Sequence, residues 1–272
     1  MNRERILYED RDIIVCHKAA GIATQTARIG QADMVSEITN YLVRGGNAMG
    51  VHKADSLSGQ RRKDSTEPPY VGVVHRLDQP VEGVLVFARN RQAAAELGRQ
   101  FSEDGMEKYY YAVVCGQAPG RSGRLTDYLL KDGRTNTSRI VPKEVKGAKK
   151  AVLEYEILVE EAIFEQSGSG ETPRTALARI RLYTGRHHQI RVQMSHAGMS
   201  LMGDYKYADA GAIELSEQLH VREIALCAYS LAFTHPRTGK RMQFRVRPEG
   251  RYFRREAFLP CYNSEDAHCC GV

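Results

Sequence analysis

No apolar run in this 272-residue sequence approaches the ~20 residues that cross a bilayer. Stretches such as 84–88 and 224–227 are far shorter, so no transmembrane helix is expected. A secretory signal is missing too: Met1-Asn2-Arg3-Glu4-Arg5 mixes charges of both signs and lacks a long apolar region, which points to a cytoplasmic protein. Cysteine is scarce. Six are too few for a disulfide scaffold, and Cys16, Cys115 and Cys227 sit in apolar runs where a thiol behaves as a small hydrophobe. Cys261, His268, Cys269 and Cys270 look metal-like, but adjacent cysteines lack the spacing that wraps a tetrahedral ion, so no metal site is expected. There is no internal repeat, and the only low-complexity piece is 167–170. A strong charge imbalance is absent as well. Thirty-nine Lys and Arg against 33 Asp and Glu leave +6, which fits a nucleic-acid partner and also many ordinary enzymes. The excess gathers at 61–63, 143–150, 237–247 and 251–255.

What is present is a globular composition, 42% apolar and 26% charged, with no linker dividing the chain. The expectation is one domain over 1–258, a loop insertion over 45–69 and a loosely ordered tail over 259–272. Segments 6–8 and 12–17 read as a hairpin. Asp33 and Asn90 are candidate N-caps, the first for a helix ending before Gly45, the second for one over 91–101 that exits at Asp104-Gly105. The segment 108–115 is a strong strand; its period of two puts Lys108, Tyr110, Ala112 and Val114 on one face and Tyr109, Tyr111 and Val113 on the other. Further strands are expected at 71–74, 84–88, 125–130, 152–159, 176–182, 225–233 and 242–246, the last two joined by Thr238-Gly239-Lys240. A helix is expected over 187–197, with Arg191 beside His187, His188 and Ser195 and Gly198 as terminator. Pattern alone therefore gives an α+β fold built on several largely antiparallel strands.

Three segments combine polar groups with turns: 75–83, 108–116 and 185–207. Singly, each has an ordinary reading: Asp78 as a turn carboxylate, Arg191 as a surface helix residue, Tyr110 as a core aromatic. Their order and wording are more specific. The chain reads Ile6-Leu7-Tyr8-Glu9-Asp10, then His75-Arg76-Leu77-Asp78 with Gly83, then Lys108-x-Tyr110-x-Ala112-x-Val114-x-Gly116. It continues with Gly185-Arg186-x-His188-Gln189-Ile190-Arg191 and Gly203-Asp204-x-x-Tyr207. In this the sequence resembles the RluA family of RNA pseudouridine synthases.

The resemblance implies a mixed, largely antiparallel sheet with flanking helices crossed by a central basic cleft, an isomerase that converts uridine in structured ribosomal or transfer RNA to its carbon-linked isomer, and no cofactor or metal. It implies that Asp78 starts the reaction, that Tyr110 faces the uracil as the base for its carbon-5 proton, and that Arg191 pairs with Asp78. Arg76 would fill the gap left by the flipped nucleotide. His75, Arg186, His188 and Lys108 complete the expected RNA-binding set. No membrane and no protein partner are implied, and a monomer is expected. The match begins at Ile6, so the extra N-terminal RNA-binding module of related families is expected to be missing. The chain departs from the family pattern at Val81-Glu82 in place of Thr-Ser and at Gln193 in place of a histidine, changes expected to bear on the fine shape of the substrate side of the cleft, and at Ser200-Leu201 in place of Pro-Ile, which makes the last motif less complete. Two other classes compete. A catalytically silent RNA-binding or ribosome-assembly factor would be marked by loss of Asp78 or Tyr110, and both are present. A hydrolase using Asp78 with His75 or His188 has no serine or cysteine nucleophile motif beside it.

Overall fold

The alternating segment around Tyr110 becomes a strand at the middle of one twelve-stranded sheet. The computed structural model describes residues 3–28, 30–45, 68–103, 105–116, 118–163 and 174–266. Asp104, most of the expected loop 45–69, the piece 167–170, and His268, Cys269 and Cys270 lie outside the described residues. In chain order the elements are β1 (Ile6–Glu9), β2 (Ile13–Lys18), α1 (Met34–Val43), β3 (Gly72–Val73), β4 (Glu82–Ala88), α2 (Arg91–Ser102) and β5 (Glu107–Gly116). They continue with β6 (Ser122–Asp132), β7 (Thr137–Ile140), β8 (Lys149–Ala162), β9 (Arg174–Leu182), α3 (Gln189–His196) and β10 (Met199–Leu201). The last are α4 (Ala210–Gln218), β11 (Leu226–Thr234), β12 (Arg241–Arg245) and α5 (Leu259–Asp266).

The strands run β1-β2-β4-β11-β5-β9-β8-β6-β7, with β3 on β4, β10 on β5 and β12 on β11. Every pairing is antiparallel except β4 with β11, whose parallel register joins a strand from the first third of the chain to one from the last. The mixed, largely antiparallel sheet and its flanking helices agree with the sequence reading. So do both caps: the Asp33 carboxylate accepts from Ser36 N and the Asn90 side chain from Ala93 N, each satisfying a helix-end donor.

The alternation along β5 separates two cores. Tyr110, Ala112 and Val114 pack with Met34 and Ile38 of α1 and Ile190 and Met194 of α3. Tyr111, Val113 and Cys115 pack on the opposite face with Ala212 and Leu215 of α4 and Tyr262 of α5. A third cluster lies under α2, through Ala93 and Leu97. The described part of the C-terminal tail is thus not loose. It forms α5, and Tyr262 is buried, its ring edge-on to Tyr111 with centroids 5.1 Å apart. No helix among the described residues is long and apolar enough to cross a membrane.

Candidate active site

A cleft of about 1490 Å³ opens on the α1/α3 side of the sheet. Arg28, Arg76, Lys108, Lys131, Arg186, Arg191, Lys206 and Arg222 line it, against only Asp78 and Asp204, so it takes an anion. Its volume exceeds the roughly 300–1,000 Å³ of small-molecule pockets.

Asp78 sits on the floor, in the turn between β3 and β4, where Val81 N donates to its carbonyl at 3.0 Å. The turn is pinned from both sides. Thr24 Oγ1 donates to Leu77 O at 2.9 Å and accepts from Leu77 N at 3.1 Å. Gly21 N donates to Gln79 O at 2.9 Å. Lys18, fully buried at the end of β2, spends its ammonium on the carbonyls of Ala19, Ile22 and Gln79, at 3.0, 2.7 and 3.0 Å. Burial pushes the Lys18 pKa down to about 8, against the pull of Asp78 and Glu82. Gly83 closes the turn at φ +135°, and a Cβ there would lie 2.4 Å from Ala228 O of β11, so only glycine allows this approach.

Arg191 reaches Asp78 from α3, Nη1 to Oδ2 3.5 Å. Its other face is occupied: Nε and Nη2 donate to the two oxygens of buried Asp204 at 2.8 and 2.7 Å, and Tyr207 lies under the guanidinium at 5.0 Å. A bidentate pair of this kind fixes the plane of the guanidinium. Asp204 is held by its turn, where Gly203 at φ +75° brings the chain against Glu223 O. The Asp78 carboxyl is raised above the ordinary aspartate value by burial, with the Arg191, His187 and Lys18 charges opposing. Tyr110, buried in the same cleft, has its phenol pushed up by burial and then by the Asp78 charge, so it stays protonated.

The remaining expected residues divide. Arg76 and Arg186 are exposed at the rim; Arg76 donates to Gln25 Oε1 at 2.8 Å, and Arg186 Nε to Lys150 O at 2.9 Å. His75 also borders the cleft, but its Nε2 accepts from Val86 N at 3.1 Å and its ring stacks on Phe101 at 4.5 Å. Burial, then the Lys108 charge, lowers its pKa to about 3, so it is a neutral brace for β4. Lys108 is buried at the back, 5.6 Å over the Phe101 ring. The helix starts at Gln189, so His187 and His188 precede it, and Arg191 turns to the two aspartates instead of toward Ser195. His188 is buried, with φ +55° and Nε2 3.7 Å from Asp78 Oδ2.

The family departures divide. Neither Glu82 nor Gln193 lines the cleft; Val81 does. Gln193, fully buried, donates to Asp127 Oδ2 at 2.6 Å and accepts from Gln189 Nε2 at 2.9 Å. Glu82 accepts from Glu249 N and Gly250 N at 2.9 and 3.0 Å, clipping the exit of β12 to the start of β4. Both therefore serve packing behind the substrate surface.

Two clusters among the described residues have metal-like composition, Asp10-Asp12-His235 and His17-Glu82-Glu249. Neither borders the cleft. In the first, protein donors already engage both carboxylates; in the second, backbone amides engage Glu82 and Arg5 engages Glu249. The sequence reading did not assign Lys18, Asp204 or Tyr207. The available signals were a lysine ending an apolar strand and the polar positions of the Gly203-Asp204-x-x-Tyr207 turn.

Residues 12–196 match the family model described as RNA pseudouridylate synthase. The chain is 32% identical over 243 residues to the ribosomal large subunit pseudouridine synthase D of Zymomonas mobilis subsp. mobilis, covering 88% of this chain and 67% of that one. It is 31% identical over 236 residues to the tRNA pseudouridine synthase C of Haemophilus ducreyi, covering 86% of each. In fold it is similar to human RNA pseudouridylate synthase domain containing 4, with a TM-score of 0.63, 21% identity, and 92% and 90% of the two chains covered.

Proposed function

The chain belongs to the RluA family of RNA pseudouridylate synthases, and from that premise we propose that Asp78 is the carboxylate with which it isomerises specific uridines of structured ribosomal or transfer RNA. The observation that carries the reading is an aspartate on the floor of a basic cleft whose arginine partner is anchored by a second aspartate. Rim cations draw in the phosphate backbone. The target uridine leaves its stack at a cost of a few kcal/mol, which Arg76 offsets by filling the gap. Asp78, ionised, attacks the ribose or the base or assists cleavage of the bond from ribose C1′ to uracil N1. The base rotates, C1′ bonds to carbon 5, and the carbon-5 proton is lost while N1 gains one. Tyr110 faces the ring as acceptor of the carbon-5 proton and in the same step hands its phenol proton to the Asp78 carboxylate, which is free once C1′ has bonded to carbon 5 and returns that proton to solvent.

The catalytic unit is residues 1–258 with α5 packed onto it through Tyr262, acting in the cytoplasm as a monomer without a partner protein. No observation favours a silent RNA-binding factor, since Asp78 and Tyr110 both line the cleft. The test uses ribosomal and transfer RNA carrying tritium at uracil carbon 5. Release by the purified chain and not by Asp78→Ala supports the reading, and mapping the product identifies the site. Absence of release from both RNAs with the wild-type chain overturns it.

A further inference from the structure

Of the three described non-glycine residues at positive φ, only His188 has its side chain against Asp78. A left-handed backbone costs a non-glycine residue roughly 1–3 kcal/mol and persists where the surroundings over-determine it. Here the ring is held on three sides. Its Nδ1 is 2.6 Å from Tyr207 Oη, its face stacks on His187 at 3.7 Å, and its Nε2 looks at Asp78 Oδ2 across 3.7 Å. His187 is itself tied by Ser138 Oγ at 2.9 Å and Asn136 Oδ1 at 3.1 Å.

The proton positions follow from donor accounting. Tyr207 Oη accepts from Ser138 N at 2.9 Å, which leaves its own O–H to donate, and His188 Nδ1 at 2.6 Å is the acceptor placed to take it. A neutral imidazole whose Nδ1 accepts carries its proton on Nε2. Burial and the nearby charges of Arg191, Lys206 and Lys131 keep the ring neutral, lowering its pKa to about 4 against the opposite pull of Asp204. The Nε2–H therefore points at the carboxylate. At 3.7 Å the contact is too long for a hydrogen bond, and catalytic bonds of this length in a free enzyme tighten when substrate is bound.

We propose that His188 is a positioning residue for Asp78: Tyr207 locks its ring in the Nε2–H form, and that N–H holds the Asp78 carboxylate in its reacting orientation once a uridine is bound. The proposal rests on the reading of Asp78 as the catalytic carboxylate. It moves His188 from the RNA-contact set to the machinery that aims the carboxylate, and gives Tyr207 a role in the same relay.

The test begins with nitrogen-15 spectra of histidine-labelled wild-type protein, which report the His188 tautomer without any activity. A protonated Nε2 with a bare Nδ1 is expected, and a proton on Nδ1 would overturn the proposal. Steady-state kinetics on the modified RNA then compare Tyr207→Phe, His188→Ala and His188→Gln. The first two should lower kcat by about tenfold to a hundredfold, the cost of misplacing a reacting group, with KM unchanged. His188→Gln, whose amide supplies an N–H where Nε2 stood, should recover part of kcat. A raised KM with unchanged kcat in both His188 variants would make this residue an RNA contact and sink the proposal. Asp78→Ala run in parallel keeps the two readings apart: if it retains turnover the catalytic assignment fails, whereas the tautomer result judges the Tyr207–His188 lock by itself.

Discussion

The chain holds two sets of aspartate, arginine and histidine, one at the floor of the cleft and one at the β1–β2 turn. At the turn, Asp12 is gripped through both oxygens by Arg237 and takes a third bond from Asn90 Nδ2 at 2.8 Å. Asp10 accepts from Asp12 N and Ile13 N at 2.8 Å each and from His235 Nε2 at 2.8 Å, while His235 Nδ1 accepts from Arg237 N and Thr238 N. At the cleft, Asp78 has Arg191 at 3.5 Å and His188 at 3.7 Å. The titration behaviour follows. The Asp12 carboxyl falls to about 2, chiefly through its Arg237 bonds, whereas Asp78 is raised by burial. The same residue types make a clasp where the carboxylate is saturated and leave its lone pairs open where they face the cleft, which is what the proposed role of Asp78 needs.

Asp78→Ala should separate the regions most sharply. Turnover should fall by about a thousandfold or more, as for loss of an attacking group, while thermal unfolding shows stability within about a kcal/mol of wild type. Retained tritium release would break the comparison. Asp204→Asn comes next. It strips the anchoring charge from buried Arg191 and should cost about 3–5 kcal/mol in denaturant unfolding, with turnover lost as well. Asp12→Asn should do the reverse of Asp78→Ala: it should cost about 1–3 kcal/mol, for hydrogen bonds to a charged group, and leave turnover intact at temperatures where the protein is folded. A drop in turnover there would mean that the clasp and the cleft are coupled.

The smallest effects are in pH. Because the Asp12 pKa is depressed, its pairing contributes stability above the unfolded aspartate value of about 3.9 that fades as pH falls toward 2. Asp78, whose pKa is raised, has the opposite slope: its burial penalty is relieved as pH falls through its folded pKa. On the proposed mechanism Asp78 acts ionised, so the acid limb of turnover should have its midpoint above 3.8, measured by single-turnover assays across pH alongside unfolding curves. A midpoint below 3.8 would show that Arg191 outweighs burial.

The sequence was most legible where periodicity and local chemistry agree. The two faces of β5 and the caps at Asp33 and Asn90 depend on residues a few positions apart. Asp78 was legible because its motif is contiguous. Short β7 and β10 carry too few residues to show a period, and α4 buries only Ala212, Leu215 and Ser216, so its stripe is faint although Asp209 caps it. Among the α5 side chains described, 259–263, Tyr262 alone is core, and a single buried ring makes no pattern. The brace that His75 makes to Val86 and Phe101 was not legible, because it joins separate elements.

By itself, then, the sequence determined most of the strands, the caps at Asp33 and Asn90, the basic excess and the five ordered motifs, because each rests on neighbours along the chain. Tertiary structure alone decided that β4 lies parallel to β11, that Lys18 fastens the Asp78 turn, and that Asp204 turns Arg191 toward Asp78. It also decided that Tyr207 fixes the ring of His188. Those contacts join residues with no common period, and a hydrogen bond of this kind exists only once packing has brought donor and acceptor within about 3 Å.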